Sequence, residues 1–558
     1  MSESDIPVVE MHPYRWGDPA RQAHLPEPVL AALRGFGIRE PARPPVAPEE
    51  VALRPSALLE GPRSALEATI GAAHISVTDR ERVRHTMGWS TPDLLRLRSG
   101  DTVDAPDAVL FPGSHDEVLA LLGVCTTHRL AVVPYGGGTS VVGGLAPLRE
   151  GFAGVVTLDL RRLDRLLSVD QESRLAVLES GVRGPRAERL LAAHELTLGH
   201  FPQSYEGATI GGYAATRSSG QASAGYGRFD EMVLGVTLAT PRGSLRLGLA
   251  PRSAAGPDLR QLVLGSEGVF GVITSVTVRV RPRPQSRVYE GWRFDSFQAG
   301  ADALRRLAQD GPLPTVLRLS DEAETAVNLA NPAQALTGGT GGCLAVCGYE
   351  GTARDVQYRR EGAAVVLRDA GGQALGTGPG EAWREGRYRA PYLRDPLLDA
   401  GALVETLETA TFWSNLHPLR QAVTDALTGS LSGEGTPPLV LCHISHVYET
   451  GACLYFTVVC AQTEDPVAQW RAAKAAVNTA IGDAGGTISH HHAVGFDHQP
   501  GYLREVGPLA IEALRAVKRT FDPERILNPG VLLGSVTAGG FRDPAGFGMP
   551  GESEATAE

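Results

Sequence analysis

Three histidines in a row, His490, His491 and His492, stand in the stretch GGTISHHHAVG. Histidine is the side chain best placed to exchange protons near neutral pH. Consecutive side chains on a strand point to alternate faces, so three in a row cannot all ligate one metal ion without a tight turn. A solvated polar run and a proton-exchanging cluster are the other two readings, and no metal is expected. Upstream, His443–Phe456 (HISHVYETGACLYF) reads as strand, turn and strand, offering His443, His446, Tyr448 and Tyr455. Tyr455 suits a packed core as well as acid–base chemistry. Arg318, in the strand Thr315–Leu319, and Arg394, in APYLRD, suit surface ion pairs. Facing a pocket, either would instead grip a phosphate or carboxylate bidentately.

A second kind of chemistry is written in glycine. Leu130–Leu145 (LAVVPYGGGTSVVGGL) runs from an apolar strand through Pro134 into Gly136, Gly137, Gly138, Thr139 and Ser140, and closes on Gly143 and Gly144. Glycines let consecutive backbone N–H groups point into one concavity, a nest suited to a phosphate or diphosphate. A P-loop would need Lys and Ser/Thr after the closing glycine, where Gly144 and Leu145 stand. A Rossmann fingerprint would need a glycine in place of Val141. A second loop, Gly199–Gly227, carries Pro202, Ser204, Thr209, Gly211, Gly212, Thr216, Arg217, Ser219 and Gly220. A disordered linker shares that composition, but Ile210, Tyr213 and Tyr226 are spaced apolar anchors. A third, Leu264–Thr274, holds Glu267, Gly268, Gly271, Val272 and Ile273. Three glycine-rich turns beside strands suit an extended dinucleotide held by backbone amides.

The elements that must position these groups form an α+β fold. Ala108–Pro112 reads as a strand, and Ser114–His128 as a helix with a capping box from Ser114 and Glu117. The glycine loop follows, the order of an α/β nucleotide site. Val155–Leu160, Ala176–Glu179 and the helix Arg186–His194 continue the alternation. The proline-broken basic stretch Arg279–Arg287 marks a domain boundary. Beyond it, strands at Thr315–Leu319, Gly342–Tyr349, Leu439–Ser445 and Ala452–Ala461 alternate with helices at Ser296–Gln309, Arg354–Ala370, Leu416–Leu427 and Pro466–Gly482. That pattern predicts an antiparallel sheet backed by helices. Pro508–Thr520 is a further helix, and after about Gly534 the composition predicts a disordered tail. Residues 1–103, with helices at Ser64–Gly71 and Arg80–Thr86, carry no evident chemistry and are expected to wrap the domains or join subunits. No internal repeat is present.

The 558 residues suffice for two or three domains, and the net charge of −11 with no basic block excludes nucleic acid as a partner. No apolar run approaches the roughly 18 residues of a membrane span. Neither a secretory signal nor a C-terminal targeting tag is visible, so the expected location is cytoplasmic, with membrane contact at most peripheral. The six cysteines form no Cys-x-x-Cys pair and read as reduced, buried thiols.

The first glycine loop resembles the diphosphate loop of FAD enzymes of the vanillyl-alcohol-oxidase type. Several of those tether the flavin through a histidine near this loop. Thr139 stands in that region here, so the resemblance implies non-covalent FAD. PYGGGTSV, SYEGATIGGYAATRSSG, GSEGVFGVIT, APYLRD, YETGACLYF and SHHHAVG together resemble the alkyldihydroxyacetone-phosphate synthase (alkylglycerone-phosphate synthase) family, in order over roughly residues 80–533. The resemblance implies an FAD-binding domain at 104–284 with two subdomains. It also implies an antiparallel-sheet cap at 285–534 whose last segment returns to the flavin. The implied reaction has no net redox change: flavin N5 displaces the fatty acid from acyl-dihydroxyacetone phosphate, and a long-chain alcohol takes its place. The substrate class would be a lipid phosphate, and a homodimer is compatible with the family. Tyr455 would be the acid/base, His490–His492 the cluster near flavin and substrate, and Arg318 and Arg394 the anion-holding pair.

Two departures stand out: Ala493 replaces a glycine after the histidines, and Asn328–Gly342 is poor in the aromatics of an alkyl tunnel. The alternative is an FAD-dependent dehydrogenase or oxidase of a 2-hydroxy acid such as D-lactate or glycolate. Many of those carry a His-Gly-Asp-Gly-Asn-x-His metal motif. His446–Tyr455 keeps one histidine of that pattern and lacks its core.

Overall fold

In the computed structural model the strand entering the first glycine turn, Leu130–Tyr135, pairs in parallel with Gly154–Asp159, which pairs in parallel with Ala108–Leu110. Ile75–Ser76 adds an antiparallel edge. The structure describes residues 8–534 apart from 9, 22, 42–43, 102–104, 147 and 329–340. Parallel pairing requires a crossover, supplied by the helix His115–Thr127. Its Val118, Leu121, Leu122 and Cys125 pack on Val132, Val156 and Leu158. Ser114 caps this helix by accepting from Glu117 N, but the Glu117 carboxylate takes Gly113 N rather than Ser114 N, so the expected box closes one residue early.

The chain then leaves the α/β pattern. A five-stranded antiparallel sheet runs Leu166–Asp170, Leu175–Glu179, Val272–Arg279, Val233–Thr240, Gly243–Leu247 in spatial order. The loop 199–227 is not a linker. Tyr205, Ile210 and Tyr213 are fully buried in the core under this sheet, and short helices form at Ile210–Thr216 and Ser223–Tyr226.

Past the proline-broken connector, a seven-stranded sheet is antiparallel throughout. Its spatial order is Gln373–Gly376, Ser286–Phe294, Cys343–Gly351, Val316–Ser320, Leu439–Val447, Gly451–Ala461, Ala402–Phe412. Helices Phe297–Asp310, Ala353–Asp369, Leu416–Gly433 and Pro466–Asp483 back it, with Leu304, Leu367, Leu427 and Val477 sharing one core with Leu454 and Phe456. The strand Ala402–Phe412 was not expected from sequence. Its VETLETAT has glutamates at helical spacing, and only burial reveals the strand.

The last helix, Gln499–Phe521, starts well before Pro508 and breaks at Gly507 (φ 78°). The chain then returns to the first sheet, where Val132 N donates to Ile526 O and Asn528 N to Val132 O, both at 2.8 Å. Buried Lys518 fixes this return through Val269 O, Leu527 O and Asp522. The six cysteines are buried and unpaired. Among the described residues no helix is long and apolar enough to cross a membrane. The tail 535–558 and most of Asn328–Gly342 lie outside the described residues.

Candidate active site

The three glycine turns meet around one cavity of about 410 Å³. Its wall includes Pro134, Gly136–Ser140 and Gly144 from the first turn. Pro202, Ser204, Thr209, Gly211, Gly212, Thr216 and Ser219 come from the second, and Glu267, Gly268, Gly271 and Ile273 from the third. The turns are pressed together. A Cβ on Gly137 would sit inside van der Waals contact of Gly207 O and 2.7 Å from its carbonyl carbon. The N–H groups of Gly137, Gly138, Thr139 and Ser140 have no hydrogen-bond partner among the described residues. Free amides aimed from one turn are what a diphosphate requires.

Four residues expected in this wall are elsewhere. Arg217 caps the helix Ile210–Thr216 in the left-handed region (φ 51°), which swings its side chain outward onto Leu264 O, Gln261 O and Gln261 Oε1. Val272 is committed to the first-sheet core. Gly220 is packed on Phe201 N, and Gly143 turns toward Phe496. None of the four lines the main cavity, and Arg217 borders the second one instead.

Gly137→Ala is expected to force the first and second turns apart. Overpacking of this kind costs about 1–3 kcal/mol, a roughly ten- to hundredfold loss in affinity where it falls on the bound state. Flavin absorbance of the purified variant, read against a thermal melt, checks this.

Facing the glycine turns across the cavity is the seven-stranded sheet. Tyr455 and His443 come from its paired strands, Arg318 from the next strand, and His491 and His492 from the turn after Thr487. The Tyr455 ring stacks on His443 at 4.9 Å and lies 5.6 Å from His492. Burial pushes the Tyr455 phenol up to about 12, so it is protonated at neutral pH. Arg394 also lines the cavity, its guanidinium donating to Trp89 O. Arg318 donates to Glu324 Oε1 at 2.9 Å.

The histidine run is neither a strand nor a solvated stretch. It is wrapped around one carboxylate, Glu408, which is 1% exposed. His490 N donates to Glu408 Oε2 at 2.7 Å; His491 N, His492 N and Ser489 Oγ donate to Oε1 at 3.1, 2.9 and 2.8 Å. Burial would raise this carboxyl. The rings of His491, His492 and His490 and the N–H groups drawn onto it hold it well below 4.5 instead. The turn sends the rings different ways. His491 and His492 face the cavity, whereas His490 sits behind, 2.5 Å from Tyr448 Oη through Nε2 and 2.9 Å from His491 through Nδ1. His490 and His491 also border a second cavity of about 470 Å³. Glu408, Cys453, His490 and His491 bring one ligand atom each within 4.8 Å of one another, a cation-sized cluster that the sequence reading did not anticipate. Both Glu408 oxygens are already committed to N–H and hydroxyl donors.

Sequence reasoning missed further wall residues, among them two tryptophans and two carboxylates. Trp16 and Trp89 line the cavity from the N-terminal segment expected to be inert, where Trp89 N donates to Ser140 O and Arg98 pairs with Asp395 at 2.7 Å. Glu324 and Glu405 are buried carboxylates on the cavity wall. His446, seen in the sequence but given no role, is held by Ser223 Oγ and Ser219 Oγ at 2.7 and 3.1 Å.

Glu267 ties the two halves together: Oε1 accepts from Val494 N and Gly495 N, just beyond the histidines. Burial raises its carboxyl to about 7 against the pull of those bonds. The folded state therefore favours the protonated form. That contribution is full below the ordinary value of 4.5 and is lost as pH rises through about 7. It amounts to at most roughly 3 kcal/mol. Glu267→Gln should accordingly raise the melting temperature more at pH 8 than at pH 5.

Two family models match. Residues 106–248 match an FAD binding domain, and 283–532 match the C-terminal domain of FAD linked oxidases. An alkyldihydroxyacetonephosphate synthase of Dictyostelium discoideum is 34% identical over 484 residues, covering 83% of this chain and 79% of that one. The chain belongs to the alkyldihydroxyacetonephosphate synthase family. A solved alkyldihydroxyacetonephosphate synthase superposes with a TM-score of 0.80 at 29% identity, covering 95% of this chain and 99% of the other. p-Cresol methylhydroxylase, at 16% identity and a TM-score of 0.66, shares the fold. The α+β architecture read from the sequence is therefore that of FAD enzymes of this class. In this alkyldihydroxyacetonephosphate synthase family member the cofactor is FAD. The converging turns and their unengaged amides fit its diphosphate.

Proposed function

We propose that this protein exchanges the acyl group of acyl-dihydroxyacetone phosphate for a long-chain alcohol, with FAD held non-covalently. The observation that carries the reading is one cavity shared by the glycine turns, Tyr455, the inward histidines and two arginines. Residues 104–284 would form the FAD-binding unit and 285–534 the cap. FAD, when bound, supplies a nucleophilic nitrogen and an electron-accepting ring. Arg394 and Arg318 hold the substrate's phosphate, the charge-assisted contact guanidinium makes best. The buried Tyr455 phenol stays protonated and donates a hydrogen bond to the carbonyl oxygen as negative charge grows there. His492, which burial drives down to about 3, is neutral at working pH. Thr139 stands in a loop with no histidine or cysteine between Gly136 and Gly144, which favours an untethered cofactor.

An anaerobic substrate screen tests the reading. The yellow flavin should stay oxidised with D-lactate, glycolate and other 2-hydroxy acids, while acyl-dihydroxyacetone phosphate with hexadecanol releases fatty acid. Bleaching by a hydroxy acid would move the assignment to an oxidoreductase. Acid precipitation should leave the flavin in the supernatant.

A further inference from the structure

Arg318 and His443 converge on one carboxylate. Glu324 Oε1 accepts from Arg318 at 2.9 Å and lies 2.9 Å from His443 Nδ1, and all three residues line the main cavity. The carboxylate is 7% exposed. Burial would raise it, but Arg318 and then His443 hold it down to about 2, so it is an anion throughout the working range. An anionic carboxylate accepts only, so His443 Nδ1 carries the proton and Nε2 is the lone pair. Nε2 has no partner among the described residues. The stacked Tyr455 ring, 22° from coplanar, blocks rotation of the imidazole. Charged and titratable neighbours come from four elements: Arg318 on its strand, Glu324 on the helix Glu322–Asn328, Tyr455 on the paired strand and His491 on the histidine turn.

We propose that Glu324 and His443 form a carboxylate–imidazole dyad in which His443 Nε2 takes the proton from the substrate carbon beside the carbonyl, with Glu324 as its positioning residue. This rests on the substrate proposed above. The C–H bond breaks, its electron pair passes to the carbonyl as an enolate, and the proton resides on Nε2 until it is returned to carbon. Glu324 fixes the tautomer and stabilises the imidazolium that forms, the division of labour of carboxylate–histidine pairs generally. The dyad separates two roles placed on one tyrosine: Tyr455, protonated at neutral pH, donates to the carbonyl oxygen, and His443 accepts from carbon. A neutral imidazole suits that task. Burial and then Arg318 push His443 down to about 4, with Glu324 pulling the other way. A base this weak must be aided by the carbonyl's own polarisation, which Tyr455 supplies.

Three proteins test the dyad, each first shown to hold FAD and to melt as the wild type does. His443→Gln should lose roughly 10²–10⁴-fold in kcat with little change in KM. Glu324→Gln should lose about tenfold or more, with the acid limb of kcat moved to lower pH because the stabilising charge is gone. The third measurement needs no substrate: in 15N-histidine-labelled protein, one buried Nδ1–H resonance should be absent from His443→Gln and shifted upfield in Glu324→Gln. Glu324→Asp should restore it in part. A His443→Gln enzyme at wild-type kcat overturns the proposal, as does an Nδ1–H resonance unmoved in Glu324→Gln. If wild type releases no fatty acid from acyl-dihydroxyacetone phosphate, the substrate is wrong, and the histidine spectrum still decides the dyad.

Discussion

Tyr455→Phe should purify with a full complement of FAD and turn over acyl-dihydroxyacetone phosphate about a hundred- to a thousandfold more slowly, the range for losing one hydrogen-bond donor to a developing oxyanion. Only the phenolic oxygen is removed. The ring that stacks on His443 and lies near His492 remains, so the neighbouring side chains keep their support. None of the glycine turns touches the strand that carries this residue, Gly451–Ala461, through its sheet pairing. Loss of kcat with unchanged flavin content and melting temperature would assign the hydroxyl to chemistry. Full activity would remove Tyr455 from the mechanism and leave it as core, the other reading open from sequence.

Glu408→Ala is expected to give the largest loss of stability, about 3–5 kcal/mol, the range for breaking a buried charged network by deleting one partner. Ser489 Oγ and the N–H groups of His490, His491 and His492 would all lose their acceptor. Each buried donor left alone carries a penalty of roughly 1–3 kcal/mol, partly recovered by relaxation of the turn. Activity should fall with stability, because His491 and His492 would no longer be aimed at the cavity. The pH dependence gives a second readout. The folded carboxyl titrates well below its ordinary 4.5, so its contribution is present above 4.5 and lost as pH falls through the folded value. Chemical denaturation at pH 7 and at pH 4 should therefore show a smaller gap between wild type and variant at the lower pH. A constant gap would mean that packing, not charge, holds the histidine turn.

The local half of this protein was legible in its residues. A glycine turn after an apolar strand, a capped helix before it, and strands alternating with long amphipathic helices are short-range patterns, set by backbone freedom and by which face must be buried. Tyr455, His491, His492, Arg318 and Arg394 were visible as candidates, each with a structural alternative, and the fold gathers all five at one cavity. What sequence could not supply was burial. Glu324 and Glu408 read as ordinary surface acids, and become the anchors of the site only because the fold carries His443 to one and the histidine turn to the other, across separations of 119 and 82 residues. Arg217 differs in the opposite direction, since it closes a helix in the left-handed region and its side chain engages Leu264 O and Gln261 rather than the main cavity. Trp16 and Trp89 reach the cavity through contacts that no local pattern encodes. Sequence determined which groups could do chemistry, because that follows from side-chain type. Tertiary structure decided which of them stand together, because the charge of a carboxylate, the tautomer of a histidine and the aim of a guanidinium are set by neighbours distant in the chain.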